Sequence, residues 1–125
     1  MNIFESSEDY LERILMLHEK NGIVRAIDIA NDMNFSKASV SIALKKLKEK
    51  NLVSVDDNTG NITLTTDGMK IAESIYHRHK VLTKVFTLLG VKEETAHDDA
   101  CKVEHAISEE TFIKLLAYLE KQGIK

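Results

Sequence analysis

The sequence has 125 residues, 43% hydrophobic and 30% charged, with a formal net charge of −3. That profile fits a soluble globular chain with one core or two small ones. No apolar run approaches the roughly 20 residues that span a bilayer, the acidic start carries no signal-peptide pattern, and a single cysteine excludes an internal disulfide. A cytoplasmic location is expected, in which a free thiol stays reduced.

There is no proline and little glycine, which favours long helices. Charge is unevenly spread. Residues 37–50 hold five lysines against one acid, whereas residues 93–110 hold seven acids against one lysine. A basic segment and an acidic one in a small chain suggest separate tasks, one toward polyanions and one toward cations.

In chain order, Ser6-Ser7-Glu8-Asp9 reads as a helix start with Ser6 as N-cap. The helix runs to about Lys20, with Leu11, Ile14, Leu15 and His18 on its apolar face, and Asn21-Gly22 ends it. Asp9, Glu12 and Met16 share another face. By themselves the two acids are explained by the helix dipole and capping.

A second helix is expected over 26–33. After the break Asn34-Phe35-Ser36, a third runs from Lys37 to about Lys50, capped by Ser36. Two helices joined by so short a turn are a helix-turn-helix signature. Val40, Ala43, Leu44 and Leu47 form the buried stripe of the third helix. Ser36, Lys37, Ala38, Ser39, Ser41, Ile42, Lys45 and Lys46 are the candidate DNA contacts. Small side chains let the backbone approach base edges, lysines reach phosphates, and Ile42 can touch a thymine methyl. A plain amphipathic helix with a lysine-rich wet face explains the same pattern.

Residues 52–55 and 61–64 alternate apolar and polar about the turn-rich 57–60, so a β-hairpin follows. Asp56 and Asp57 make it a poor phosphate binder. The order is that of a winged helix.

Thr65-Thr66-Asp67 begins a long helix to about Leu89. Its apolar face is Met69, Ala72, Ile75, Tyr76, Leu82, Phe86 and Leu89, with His79 in the stripe. An acidic helix is expected over 93–107. On it His97, Cys101, Glu104 and His105 fall at i, i+4, i+7 and i+8, on one face. Two imidazoles, a thiol and a carboxylate are transition-metal ligands, although a wet helix face with an inert cysteine is the plainer alternative. Ser108 caps a last helix with Phe112, Leu115, Leu116 and Leu119 apolar. A helical half whose apolar faces exceed its own core points to a homodimer.

The expected fold is mainly α with a small β wing. A winged helix-turn-helix DNA-binding domain occupies 1–68, and a helical dimerisation and metal-binding domain occupies 69–125.

Several motifs together resemble the metal-dependent repressors of the diphtheria-toxin-repressor and manganese-transport-regulator family, over nearly the whole chain. They are Ser7-Glu8-Asp9-Tyr10-Leu11-Glu12, Asp28-Ile29-Ala30, Leu64-Thr65-Thr66-Asp67-Gly68, Arg78-His79, and the run from Cys101 through Glu104 and His105 to Ser108. In such proteins metal joins the first helix to the acidic helix and the long helix, which turns Asp9 and Glu12 into expected ligands. The resemblance is mixed. Asp9 and Glu12 match the manganese branch, as does His79. Cys101 stands where the iron branch has cysteine and the manganese branch glutamate, and His97 matches an ancillary ligand of the iron branch. Thr83 stands where that branch has glutamate. Relative to the family, the sequence stops before an SH3-like third domain and one helix short of the manganese branch.

The resemblance implies a first metal at Asp9, Cys101, Glu104 and His105, and a second using His79, Glu12 and His97. The thiolate favours iron(II), zinc or cobalt over manganese(II), which prefers oxygen; iron(II) is the first choice of effector and manganese(II) the second, with zinc or cobalt able to substitute. The function expected is a divalent-metal-activated repressor of metal-homeostasis genes, binding a palindromic operator as a homodimer. A winged-helix regulator without a metal switch is the alternative. A small metalloenzyme using Glu104 or Asp9 as base lacks an HExxH motif and leaves the basic helix without a role, so no enzymatic activity is expected.

Overall fold

The computed structural model describes residues 3–123, with side chains from Ser7 onward. In chain order the elements are α1 (Ile3–Asn21), α2 (Ala26–Met33), α3 (Lys37–Glu49), β1 (Val53–Val55), β2 (Ile62–Leu64), α4 (Thr66–Leu88), α5 (Glu93–Val103) and α6 (Glu109–Lys121). The chain divides into two compact units, residues 1–74 and 75–125, and the division falls inside α4.

Local signals set most boundaries in the first unit. The N–H of Gly22, at φ +81°, reaches the His18 carbonyl at 2.9 Å and closes α1. Asn34, left-handed at φ 58°, ends α2. The Ser36 hydroxyl accepts from the Ser39 N–H at 3.1 Å and starts α3. The start of α1 departs from expectation. The backbone is already helical at Ile3, so Ser6 lies inside the helix rather than capping it. No glycine or proline between Ile3 and Ser7 interrupts helix propagation.

α1 packs on α2, α3 and β2. Leu11, Ile14, Val24, Ile29, Val40, Leu47 and Ile62 are essentially excluded from water, each worth about 1.5–3 kcal/mol of apolar burial. The hairpin pairs antiparallel with Ser54 opposite Thr63, in strands one residue shorter than the alternation suggested. Ile62 also donates its N–H to the Val24 carbonyl at 2.7 Å, and Val24 donates to the Asn61 side chain at 3.1 Å, tying the wing to the segment after α1. His18 joins that tie, one ring nitrogen 2.6 Å from the Ile62 carbonyl oxygen.

In the second unit Ile75, His79 and Leu82 line the buried stripe of α4, as the period predicts. Leu89, expected on that face, is exposed. The helix ends at Leu88, so Leu89 sits in the turn before Gly90 and loses the helical phase. α5 also stops early, at Val103, so Glu104 is its C-cap and His105 lies in the following turn. The expected continuous helix to Ile107 is therefore corrected. The carbonyls freed there are taken up from α4, where the Arg78 guanidinium donates to Glu104 O at 3.2 Å and Ile107 O at 2.7 Å. Ser108 caps α6 by accepting from the Thr111 N–H at 3.1 Å.

Candidate functional site

The first unit presents α3. Its inner face is Val40, Leu44 and Leu47. Lys37, Ala38, Ser41, Ile42, Lys45 and Lys46 are exposed, and Ile42 stands 60% accessible, high for so large an apolar side chain. Ser36 and Ser39 are exposed too, but their hydroxyls bond each other at 2.9 Å within the cap. Beside the wing, Arg25 donates from Nε to the Thr59 carbonyl at 3.0 Å, which adds a cation that the helical patterns do not reveal. At the wing tip the Asp56 carboxylate accepts the N–H groups of Asn58 (2.8 Å) and Thr59 (3.0 Å). Those two bonds hold its carboxyl below the ordinary carboxylate range.

α1 carries Asp9, half-buried, and Glu12, buried, one helical turn apart. Burial, and then the negative charge of Asp9, push the Tyr10 phenol up.

The remaining candidate ligands belong to the second unit. His79 of α4 meets α5 with both ring nitrogens. Nε2 lies 2.9 Å from His97 Nδ1, and Nδ1 lies 3.8 Å from Cys101 Sγ. The two imidazoles pack edge to face with centroids 4.5 Å apart. That separation is within hydrogen-bond reach, the donor and acceptor set by the ring tautomers, and neutral imidazole is the form that ligates metal. Donor atoms of His79, His97 and Cys101 all lie within 4.8 Å of one another. His79 Nδ1 is also 3.5 Å from Glu104 Oε1, and His105 Nε2 is 3.9 Å from the same oxygen. Glu104 has no exposed surface. An ionised carboxylate so placed is costly unless cations compensate it.

This donor set fits a divalent transition metal: borderline nitrogens, a soft sulfur and a buried carboxylate within a few ångström. Thr83, Glu93, Glu94, His97 and Asp98 line an open pocket at the edge of the cluster. The structure thus gathers His79, His97, Cys101, Glu104 and His105 in one unit. It places Cys101 beside the histidines that the resemblance assigns to the other ion. In the sequence Arg78 figures only as the neighbour of His79. In the structure it holds the turn bearing Glu104 and His105, with its guanidinium 5.3 Å from the Phe112 ring centroid.

A winged helix with an exposed lysine-bearing helix, joined in one chain to a helical unit rich in metal donors, defines a metal-binding regulator of the DNA-binding class. The family models also divide the chain in two, at the end of the wing rather than inside α4. Residues 2–60 match the iron dependent repressor N-terminal DNA binding domain, and residues 65–122 match the iron dependent repressor metal binding and dimerisation domain. The chain belongs to the iron-dependent repressor family, whose members are metal-responsive DNA-binding transcriptional regulators. It is 38% identical over 120 residues to an uncharacterized HTH-type transcriptional regulator of Methanocaldococcus jannaschii, covering 94% of each chain. Among solved structures it resembles the manganese regulator SloR (30% identity, TM-score 0.78, 91% of this chain and 53% of that one). It also resembles a manganese-dependent transcriptional repressor in complex with manganese (29% identity, TM-score 0.82, 91% and 52%). The chain spans about half the length of those two proteins. Among the described residues no helix is long and apolar enough to cross a membrane.

Proposed function

We propose that the protein is a divalent-metal-activated repressor that binds a palindromic operator as a homodimer and controls metal-homeostasis genes in the cytoplasm. The observation carrying this is the convergence of His79, His97 and Cys101 in a chain whose other unit exposes the lysine-bearing face of α3. The metal ligands are drawn from Asp9, Glu12, His79, His97, Cys101, Glu104 and His105. α3 enters the major groove, with Ser36, Lys37, Ala38, Ser39, Ser41, Ile42, Lys45 and Lys46 at the DNA. Exposed Leu88, Leu89, Ile113 and Tyr118 in the second unit support its use in dimerisation.

Iron(II) is the effector favoured by the thiolate, and manganese(II), named for the two solved neighbours, is second. Zinc or cobalt can substitute. When bound, the ion supplies charge that compensates the buried Glu104. The chain's own residues supply the selectivity and the DNA contacts.

The test is anaerobic titration calorimetry of reduced protein with iron(II) and manganese(II), followed by selection of binding sites from random duplex DNA at each metal level. Stoichiometric binding that raises DNA affinity, with a symmetric selected site, is the expected result. Equal DNA affinity with and without metal would leave a winged-helix regulator with another signal.

A further inference from the structure

His18 belongs to the DNA-binding unit, and two backbone carbonyls hold its ring. Nδ1 lies 3.1 Å from Gly22 O, in the turn that closes α1, and Nε2 lies 2.6 Å from Ile62 O on β2. Ile62 gives its N–H to Val24 rather than to β1. A residue in an antiparallel strand turns its N–H and C=O to the same edge, so the Ile62 carbonyl also points away from β1. A carbonyl oxygen only accepts. Both ring contacts are therefore hydrogen bonds only when both nitrogens carry protons, which is the imidazolium form. A neutral ring has one N–H and turns the lone pair of its other nitrogen on a carbonyl oxygen. The position suits a cation as well, because His18 lies in the last turn of α1, at the negative end of the helix dipole.

The charged groups around it are exposed or already engaged. On α1, Glu19 and Lys20 face solvent. On α2, Asp28 accepts the Arg25 N–H at 2.9 Å, and Asp32 pairs with Arg13 at 3.3 Å. The inner face of α3 is Val40, Leu44 and Leu47, and β2 is Ile62-Thr63-Leu64. In the hairpin, Asp56 is bound to the N–H groups of Asn58 and Thr59. Among the described residues His18 forms no ion pair.

We propose that His18 is a proton-dependent clasp, which as imidazolium donates to Gly22 O and Ile62 O at once and so positions the wing against α1. A bond made only by the protonated ring is present at low pH and lost as pH rises. Histidine changes charge between about pH 5 and 8, so the wing responds to protons in the physiological range. The consequence for operator affinity rests on the function proposed above, and the clasp itself does not.

The test is nuclear magnetic resonance of the full-length, isotopically labelled protein. At about pH 6 two ring N–H signals are expected for His18, coupled through hydrogen bonds to the carbonyl carbons of Gly22 and Ile62. A ring with one coupled nitrogen, or none, overturns the proposal. Raising the pH to about 8 should remove one coupling and lower the exchange protection of the Ile62 N–H at least roughly threefold relative to the Val40 N–H, which bonds to Ser36 O in α3. Equal relative protection at both pH values also overturns it. Asp56 stays ionised throughout, since its carboxyl lies below the ordinary carboxylate range. His18→Gln keeps an N–H donor and never titrates, so its Ile62 protection should be the same at both pH values. A wild-type pH response in that variant would assign the effect to another group. Operator binding by the same samples is a separate readout: DNA affinity indifferent to metal, with both couplings present, would remove the repressor function and leave the clasp.

Discussion

Asp56 closes the wing turn with one carboxylate and two backbone N–H donors, and this makes hairpin stability depend on pH. Its folded-state pKa lies below the ordinary 3.8, so its contribution is fully present above that value and fades as pH falls through the folded pKa. Thermal melts taken from pH 5 down to pH 3 should therefore show a loss that Asp56→Asn flattens, because the amide keeps an acceptor but never titrates. An unchanged pH profile in the variant would remove Asp56 from the account. Ile42 raises a different issue at the same scale. It is 60% exposed on the outer face of α3, the one large apolar side chain among the proposed DNA contacts. If Ile42 touches a thymine methyl, as proposed, Ile42→Ala should lower affinity for the selected operator by about 1–2 kcal/mol, the apolar burial lost, and leave non-specific binding unchanged. Competition binding with operator and random duplex measures both. The donor types of His97, Cys101, Glu104 and His105 are legible in the sequence because few side chains bind transition metals, whereas His79 reads there as part of an apolar stripe. The pairing of these residues is not legible, since helical spacing reports which residues share a face and says nothing of which residue on another helix they meet.

Elements whose ends are encoded by capping residues are legible in the sequence, and those whose ends depend on distant contacts are not. α2 ends at Asn34 and α3 begins at Ser36, both visible as local signals in the break between the helices. α5 stops at Val103, and Arg78, 26 residues earlier than Glu104, binds the carbonyls of the turn that follows, which no local pattern shows. Gly68 belongs to the same class. A Cβ there would lie 2.0 Å from the Leu52 carbonyl oxygen, so the first turn of α4 is packed against the backbone leading into β1. Thr65 fixes this approach, donating its hydroxyl to Asn51 O at 2.8 Å and accepting the Gly68 N–H at 3.1 Å. Gly68→Ala should destabilise the protein by about 1–3 kcal/mol, because rigid backbone has to move. Gly22→Ala is the contrast. Its Cβ meets nothing within 4 Å, and only the positive φ of +81° is strained, so it should cost about 1 kcal/mol. Denaturant midpoints at constant m-value rank the two, and equal costs would mean that the Leu52 backbone yields easily.

A net charge of −3 is poorly suited to DNA, so binding has to come from the local lysines of α3 rather than from the molecule's overall field. This separates two effects that a single affinity measurement merges. If Lys45 and Lys46 contact phosphate, as proposed, they release counterions, and removing either should reduce the slope of log affinity against log salt by about 1 for each phosphate no longer neutralised, evenly across sequences. The metal effect is of another kind. If metal raises operator affinity by some factor, operator must raise metal affinity by the same factor, because both follow from one coupling free energy, of order 1–3 kcal/mol. Lys45→Ala and Lys46→Ala should therefore weaken operator binding of metal-free and metal-loaded protein alike and leave the coupling factor unchanged. Ligand substitutions such as His97→Ala should shrink that factor with little effect on the salt slope. Measuring metal affinity with and without operator, at two salt concentrations, closes the thermodynamic cycle. A coupling factor that falls with Lys45→Ala as far as with His97→Ala would show that the same residues carry both functions, and the separation of a basic and an acidic segment along the chain would then have no energetic counterpart.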